Sequence, residues 1–195
     1  AVRSEPELLK SAGRAVLGTD VRIADENDQE VPFGTVGELQ VRGPQVMTGY
    51  WNKPDATAET LKGGWMHTGD AARMDEDGYI YIQDRIKDMI VSGGENIYPA
   101  EVENALFQHP AVADAAVIGI PSDQWGESVL AFLVLQGEVK PTTEELIEFC
   151  RSHLAGYKLP RQVEFVDGLP RNASGKVLKN QLREPYWEGT ERKVN

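Results

Sequence analysis

Five residues of the sequence have side chains or backbone freedom that could do chemistry. Asp70 directly follows a glycine at the predicted start of a strand, and its carboxylate could accept two adjacent hydrogen bonds, as the vicinal hydroxyls of a ribose would donate them. The guanidinium of Arg85 is planar, remains positively charged and presents several hydrogen-bond donors. Lys176 could stabilise negative charge that develops during a reaction. Gly93 and Gly94 leave the backbone bare, so a thin ligand could run along it.

Each of these residues also has an ordinary structural interpretation. Asp70 could cap the turn that it belongs to. Arg85 could form a surface salt bridge with Asp84 or Asp88, which is typically worth ~0–1 kcal/mol. Lys176 could be one more exposed loop lysine, since most lysines are exposed. The glycine pair forms a turn under either interpretation.

The loop that contains Lys176 is not a Walker A phosphate loop. That pattern requires a glycine where Pro170 stands, and a serine or threonine where Val177 stands. The Asn, Ser and Gly residues before Lys176 instead predict a mobile loop that leads into a helix.

The composition excludes several classes of function. The net charge of −11 argues against a general nucleic-acid surface, because binding to phosphates needs clustered cations. The single cysteine, Cys150, excludes an internal disulfide framework, and its apolar neighbours predict that it is buried. The sequence contains neither a signal peptide nor a transmembrane segment. We therefore expect a cytoplasmic protein, free or peripherally bound at a membrane, whose polar start lies inside a longer parent protein.

The first part of the chain has the signals of a small β structure. Residues 1–16 are expected to be poorly anchored, and short alternating stretches follow in residues 17–84, separated by turns. The predicted strands are Val21–Ala24, Glu38–Arg42 and Gly78–Gln83. A short helix is predicted for Lys53–Leu61. This pattern favours a β-barrel-like subdomain or a distorted sandwich.

The second part of the chain mixes helices and strands. The strands are predicted at Val112–Ile120, Val129–Leu135 and Gln162–Val166, and the helices at Pro99–Gln108, from Thr142 to about Leu154, and at Val177–Glu184. The apolar stretch before Gly93 is a further strand that leads through the glycine turn into the first of these helices. The order of these elements predicts an α+β domain with helices packed on a sheet. We place the boundary between the two parts at residues 85–87.

Three motifs together resemble the acyl-CoA synthetase branch of the adenylate-forming enzymes. The stretch Asp84–Glu103 resembles the hinge and following loop of that family, and His67–Asp70 and Pro170–Lys179 resemble two of its other motifs in the expected order. The resemblance extends over residues 12–187 and is closest to bacterial fatty-acyl-CoA ligases. The spelling of residues 87–96 favours CoA ligases over peptide-synthetase adenylation domains and luciferases.

The resemblance implies a role for each candidate residue. Asp70 and Arg85 would bind the nucleotide, and Lys176 would be the catalytic lysine of adenylation. Lys87 would be the hinge, because the family has Asp or Lys at the pivot, and a plain polar linker is the alternative that the sequence leaves open. The Gly93-Gly94 loop would line the tunnel for the pantetheine arm of CoA. No metal ligand is implied in this chain.

The resemblance also implies what the parent protein does. ATP and a medium- or long-chain carboxylic acid would form an acyl-adenylate, which CoA converts to a thioester. ATP, CoA and Mg²⁺ would act in the full-length parent, where the acid and nucleotide are bound through its amino-terminal domain. Residues 1–84 would end that domain, residues 85–87 would be the hinge, and residues 88–195 would form the lid.

Several parts of the family are absent from this sequence. Its phosphate loop, its Mg²⁺-binding glutamate segment and its acyl pocket find no match here. We therefore expect the 195-residue chain to fold without catalysing the reaction and to require no cofactor by itself. Two alternatives stay open. The chain could be a stand-alone binding or regulatory module with the lid fold, or the lid of another acyl-adenylating enzyme such as an aryl-CoA ligase or a luciferase-like protein.

Overall fold

The computed structural model describes residues 6–137 and 140–189. The chain divides into two compact units, of which one ends at Ile86 and the other begins at Lys87. The α+β class predicted from the sequence is confirmed, since both units combine helices with largely antiparallel sheets. None of the described helices has the length and apolar character needed to cross a bilayer.

The first unit contains a four-stranded antiparallel sheet whose strands lie in chain order. The strands are β1 Asp20–Ala24, β2 Gly37–Arg42, β3 Met66–Met74 and β4 Ile80–Arg85. The helical segments are the helix α1, Pro54–Thr60, and 3₁₀ turns at Pro6–Lys10 and Lys62–Gly64. Ile23, Ala72 and Ile80 form the buried core of this unit.

The expected barrel-like closure is not found in the first unit. Among the described residues, β1 and β4 are the two edges of an open sheet. The physical reason is the small number of strands, since barrels typically need about eight to enclose a filled interior. The expectation of a poorly anchored start is also corrected in part. Ala12 and Gly13 exchange backbone hydrogen bonds of 2.7 and 2.9 Å with Ile80, whereas residues 1–5 lie outside the described part.

The longest strand of this sheet, β3, was not predicted. Its sequence contains glycine and aspartate and no valine or isoleucine, so its intrinsic β propensity is low. Pairing with β2 on one side and β4 on the other overrides that propensity. Ala71 and Ala72 are buried in its middle. Asp70 therefore lies inside a strand and not at its start.

The second unit is a five-stranded sheet with helices on both faces. The strands are β5 Ile90–Ser92, β6 Glu95–Ile97, β7 Val112–Ser122, β8 Gly126–Leu135 and β9 Gln162–Phe165. The helices are α2 Pro99–Phe107, α3 Thr143–Arg151 and α4 Lys179–Trp187. The long antiparallel pair of β7 and β8 forms the centre, with β9 parallel to β8. The short strand β6 was missed, because the sequence suggested that the glycine turn leads directly into a helix.

The apolar runs of β7 and β8 are buried on both faces, as predicted. Val117 and Leu133 face the cluster that packs under α2 and α3, whereas Ala116 and Phe132 face the cluster under α4. This alternation follows from the two-residue period of a strand. Because both faces are covered, the stretches 115–120 of β7 and 129–135 of β8 contain no polar side chain.

The helix α3 begins with the predicted capping box. The Thr142 backbone nitrogen donates to Glu145 Oε2 at 2.8 Å, and the Glu145 nitrogen donates to Thr142 Oγ1 at 3.2 Å. Cys150, near the end of this helix, is fully buried, which confirms its predicted role as a small core residue. Burial raises the pKa of the Cys150 thiol to about 11, so the reactive thiolate is scarce at neutral pH.

Candidate functional site

Asp70 and Arg85 form an ion pair on adjacent strands of the first unit. They are direct partners in the ladder of β3 and β4, and Arg85 Nη1 lies 3.0 Å from Asp70 Oδ1. The same guanidinium nitrogen donates to the carbonyl oxygen of Thr68 at 2.8 Å. The Asp70 and Arg85 side chains are 29% and 42% exposed, so both remain accessible to a ligand. Asp88, one of the two carboxylates expected as an alternative partner of Arg85, pairs with Arg183 instead.

Glu38, on β2, supports the segment that carries Asp70. Its Oε1 accepts a hydrogen bond of 3.0 Å from the Gly69 nitrogen, and its Oε2 lies 2.7 Å from His67 Nδ1. Gly69 has a φ of +71°, and a Cβ built there would lie 3.6 Å from Arg85 Nη1. Glycine is therefore favoured at this position because of its positive φ, and not because a Cβ would clash. The carboxylate of Glu38 thus contacts Gly69 and His67, just before Asp70 on β3.

A buried glutamine links this support to a wider polar network. Gln40 is fully buried, accepts a hydrogen bond from Arg22 Nε at 2.9 Å, and donates to Asp28 Oδ1 at 3.0 Å. Hydrogen bonds from Lys62 and Gln40 lower the pKa of the Asp28 carboxyl. Within the described ranges, no group of three or more His, Cys, Asp or Glu side chains could hold a metal ion. Through Gln40 the network links Arg22 on β1 with His67 on β3.

Gly93 and Gly94 form the tight turn between β5 and β6. Ser92 pairs with Glu95 on either side of the turn, and the two glycines have φ of +62° and +85°. Two central residues with positive φ define a type I′ hairpin turn, for which Gly-Gly is one of the preferred sequences. The predicted turn is present, although it joins two strands.

The bare backbone of Gly93 lies against an aromatic ring. The Gly93 nitrogen donates to the Trp125 carbonyl at 2.8 Å, and a Cβ on Gly93 would come within 3.0 Å of the Trp125 ring. The guanidinium of Arg161 covers that ring at 4.7 Å from its centroid. Trp125 remains 36% exposed. Around Gly94, by contrast, an added Cβ would meet no described atom within 4 Å, so this glycine borders open space.

Lys176 is exposed near the tip of a short hairpin before α4. Arg171 and Val177 form an isolated antiparallel bridge that closes this hairpin. Asn172 spans the tip, because its side chain and its backbone both bond to Lys176. No bond of the Lys176 ammonium is found within the described ranges. The predicted mobile loop is therefore a hydrogen-bonded hairpin that presents a cation.

The link between the two units is short and fixed at its far end. The 3₁₀ turn Ile86–Asp88 contains the exposed Lys87. Arg183, on α4, pairs with Asp88 Oδ1 and donates to the Lys87 carbonyl at 3.3 Å. Both side chains of this pair are at most 16% exposed. Asp88 is thus anchored to α4 within the second unit.

Within the second unit, Lys176 and the glycine turn belong to opposite ends of β7. Arg171 ties the Lys176 hairpin to Asp114, near the start of the strand. The turn at Gly93 is bonded to Trp125, just beyond Ser122 at the end of the strand. Eight residues of extended strand span roughly 26 Å at about 3.3 Å per residue. Side-chain motion alone cannot bring the two features to one place.

Three residues that build these features were not singled out in the sequence. The Asx-turn signal of Asn172 was visible in its spacing to Ser174. Glu38 and Arg183 carry no local signal, because their partners Gly69 and Asp88 lie 31 and 95 residues away. Only the folded structure brings those partners together.

Two family models match the chain. The model described as the AMP-binding enzyme C-terminal domain matches residues 101–176, and the model described as AMP-binding enzyme matches residues 2–51. Together these ranges cover more than half of the chain and leave out the stretch between residues 52 and 100.

Curated and solved relatives cover nearly the whole chain. The feruloyl-CoA synthase of an Amycolatopsis species is 51% identical over 92% of this chain and 37% of its own length. The long-chain-fatty-acid–CoA ligase of Escherichia coli O6:H1 is 50% identical over 89% of this chain and 31% of its own length. The chain thus spans about a third of the length of these curated relatives.

A solved structure matches the fold of the chain closely. It is the o-succinylbenzoate CoA synthetase MenE from Bacillus subtilis, in complex with its acyl-adenylate intermediate. The match has a TM-score of 0.86 at 41% identity, and it covers 99% of this chain and 38% of that one. The α+β architecture is therefore shared with a protein that was captured with an adenylate bound.

Proposed function

We propose, since this chain belongs to the family of AMP-binding, adenylate-forming enzymes, that it is the carboxy-terminal part of an ATP-dependent carboxylic acid–CoA ligase. The resemblance found in the sequence is confirmed at the level of the family. The observation that carries the proposal is the exposed Lys176 at the tip of a bonded hairpin, within a fold shared with adenylate-bound MenE.

The proposed reaction has two half-reactions. In the first, the carboxylate of the acid attacks the α-phosphorus of ATP, an acyl-phosphate bond forms, and pyrophosphate leaves. Lys176 would stabilise the negative charge that accumulates in this step. In the second, the CoA thiol attacks the acyl carbon, a thioester bond forms, and AMP leaves with the electron pair. The bare edge at Gly94 would border the path of the pantetheine arm.

The hinge assignment of Lys87 belongs to the same proposal. A solvent-facing residue between two compact units can change φ and ψ without breaking a core. The separation of Lys176 from the glycine turn along β7 supports a rotation that exchanges one for the other between the half-reactions. Residues 1–84 would then end the larger domain, and residues 88–195 would act as the lid.

A medium- or long-chain fatty acid is the proposed substrate class. The E. coli long-chain-fatty-acid–CoA ligase supports it, although the feruloyl-CoA synthase is equally similar. A substrate screen on the full-length enzyme with ATP, Mg²⁺ and CoA would therefore identify the preferred carboxylic acid. We expect saturated fatty acids to give the highest kcat/KM, and a clear preference for ferulate or o-succinylbenzoate would contradict this choice.

The isolated 195-residue chain is expected to be inactive. Product formation from fatty acid, ATP and CoA, measured as AMP release, should stay at background for this chain and be robust for the full-length enzyme. Turnover by the chain alone would contradict the fragment proposal. If the full-length protein also fails to make any acyl-CoA, the alternative of a binding or regulatory module with the lid fold would replace the ligase.

Asp70→Ala is expected to lower kcat/KM for ATP in the full-length enzyme. Hydrogen bonds to a charged group are worth about 1.5–3 kcal/mol each, so the loss should be about 10- to 100-fold. Steady-state adenylation kinetics with varied ATP would measure it. Asp77→Ala, in the exposed turn before β4, is the matched control and should behave as wild type.

The role of Asp70 as a ribose ligand can be separated from a structural one with 2′-deoxy-ATP. The wild-type enzyme should use this analogue less well than ATP, because one hydroxyl is missing. In Asp70→Ala the difference between the two nucleotides should largely disappear, since the acceptor is gone. An undiminished preference for ATP in this variant would contradict the assignment.

A further inference from the structure

We infer that Asn172 is a positioning residue that fixes the backbone of Lys176, an inference that rests on the role proposed for Lys176 in adenylation. Both backbone polar groups of Lys176 bond to this one residue. The Lys176 nitrogen donates to Asn172 Oδ1 at 2.9 Å, and the Asn172 nitrogen donates to the Lys176 carbonyl at 2.9 Å.

The amide oxygen of Asn172 organises the rest of the tip as well. It accepts hydrogen bonds from the Ser174 nitrogen at 3.1 Å and from Ser174 Oγ at 2.8 Å. The Gly175 nitrogen donates to the Asn172 carbonyl at 2.9 Å. One side chain therefore holds the residues on both sides of the turn, and the ammonium of Lys176 projects from a closed frame.

The base of this hairpin is attached to the central sheet. Arg171 Nη2 lies 2.5 Å from Asp114 Oδ2 on β7, and Arg171 Nη1 donates to the carbonyl of Gly175. Beyond the tip, Val177 packs against the apolar cluster under α4. Lys179 then pairs with Glu103 on α2 at 2.8 Å. The frame that Asn172 closes is thus fixed to three elements of the second unit.

We expect these contacts to affect the rate of adenylation more than the folding stability of the protein. The hairpin tip is exposed, so water can replace the lost hydrogen bonds at little cost in folding free energy. Catalysis is more sensitive, because misplacing a reacting group by about 1 Å can cost roughly 10²-fold in rate. Because Nζ lies at the end of a long side chain, a rotation of the Lys176 backbone displaces Nζ further than it displaces Cα. Loss of Asn172 should therefore act on adenylation specifically.

The test compares Asn172→Ala with Asn180→Ala, an exposed asparagine on α4, in the full-length enzyme. Adenylation is measured by ATP–pyrophosphate exchange, and thioester formation by supplying synthetic acyl-adenylate with CoA. We expect Asn172→Ala to lower kcat of adenylation by about 10- to 100-fold, with KM for ATP and thioester formation unchanged. Asn172→Asp keeps the acceptor oxygen and should restore most of the rate.

The same substitution in a Lys176→Ala background separates this inference from the proposed function. If Asn172 acts through Lys176, adding Asn172→Ala to Lys176→Ala should cause no further loss. A further loss in that background, or a wild-type rate for Asn172→Ala, would overturn the inference. An equal loss in both half-reactions would also overturn it, because it would indicate general damage. If the Lys176→Ala enzyme itself adenylates at the wild-type rate, the proposed role of Lys176 is contradicted, independently of the result for Asn172.

Discussion

Lys176→Ala should lower the rate of acyl-adenylate formation by about 10²- to 10³-fold, the usual effect of removing one fixed donor from developing charge. The effect should fall on kcat, because the ammonium interacts more strongly with the transition state than with bound ATP. Pyrophosphate exchange in the full-length enzyme measures it. Lys176 is exposed, and its ammonium forms no bond to any of the described residues. The Lys176→Ala substitution should therefore leave the thermal stability of the protein unchanged.

The second half-reaction provides the internal control for this variant. Synthetic acyl-adenylate and CoA bypass the step in which Lys176 is proposed to act, so thioester formation by Lys176→Ala should match wild type. Lys140→Ala, another exposed lysine of the second unit, should leave both steps intact. Equal losses in the two half-reactions would show that Lys176 has no specific part in adenylation.

Lys87→Pro should slow thioester formation much more than adenylation. Proline fixes φ near −65° and pushes the preceding residue, Ile86, out of helical conformations. A backbone conformation that proline cannot adopt costs ~3 kcal/mol, which corresponds to roughly 10²-fold in rate. Because Arg183 holds the Lys87 carbonyl and Asp88, we propose that a rotation would occur mainly at φ of Lys87 and in Ile86.

Lys87→Ala distinguishes the backbone effect from the loss of an amine. Alanine keeps φ free, so both half-reactions should proceed nearly as in wild type. Rapid-quench measurements of acyl-adenylate decay in the presence of CoA would report the second step directly. Equal slowing of both steps by Lys87→Pro, or equal damage from Lys87→Ala, would contradict the hinge assignment.

Local patterns in the sequence predicted the elements whose stability depends on burial and capping. The uninterrupted apolar residues of β7 and β8 signalled strands covered on both faces, and they are. The Thr142–Glu145 capping box marked the start of α3 correctly. The strand β3 escaped detection because cross-strand partners, and not its own residues, stabilise it.

The residues of the candidate site could be predicted from the sequence, but their arrangement in space could not. Asp70 and Arg85 were identified as residue types, but their pairing depends on the register of β3 against β4. Arg183 could not be connected with Asp88, because long-range ion pairs leave no trace in a single sequence. For the same reason, the hydrogen bond from the Gly69 nitrogen to Glu38 is visible only in the folded structure.

The length of β7 determines how far apart two candidate functional features lie. Its ladder with β8 acts as a spacer of fixed size, which keeps the lysine tip and the glycine edge apart by the number of residues between Asp114 and Ser122. Adding or removing two residues in both strands would shift one end by about 7 Å while preserving which side chains face each cluster. Under the proposed function, the distance between the two candidate sites would thus be set by the number of paired residues in β7 and β8.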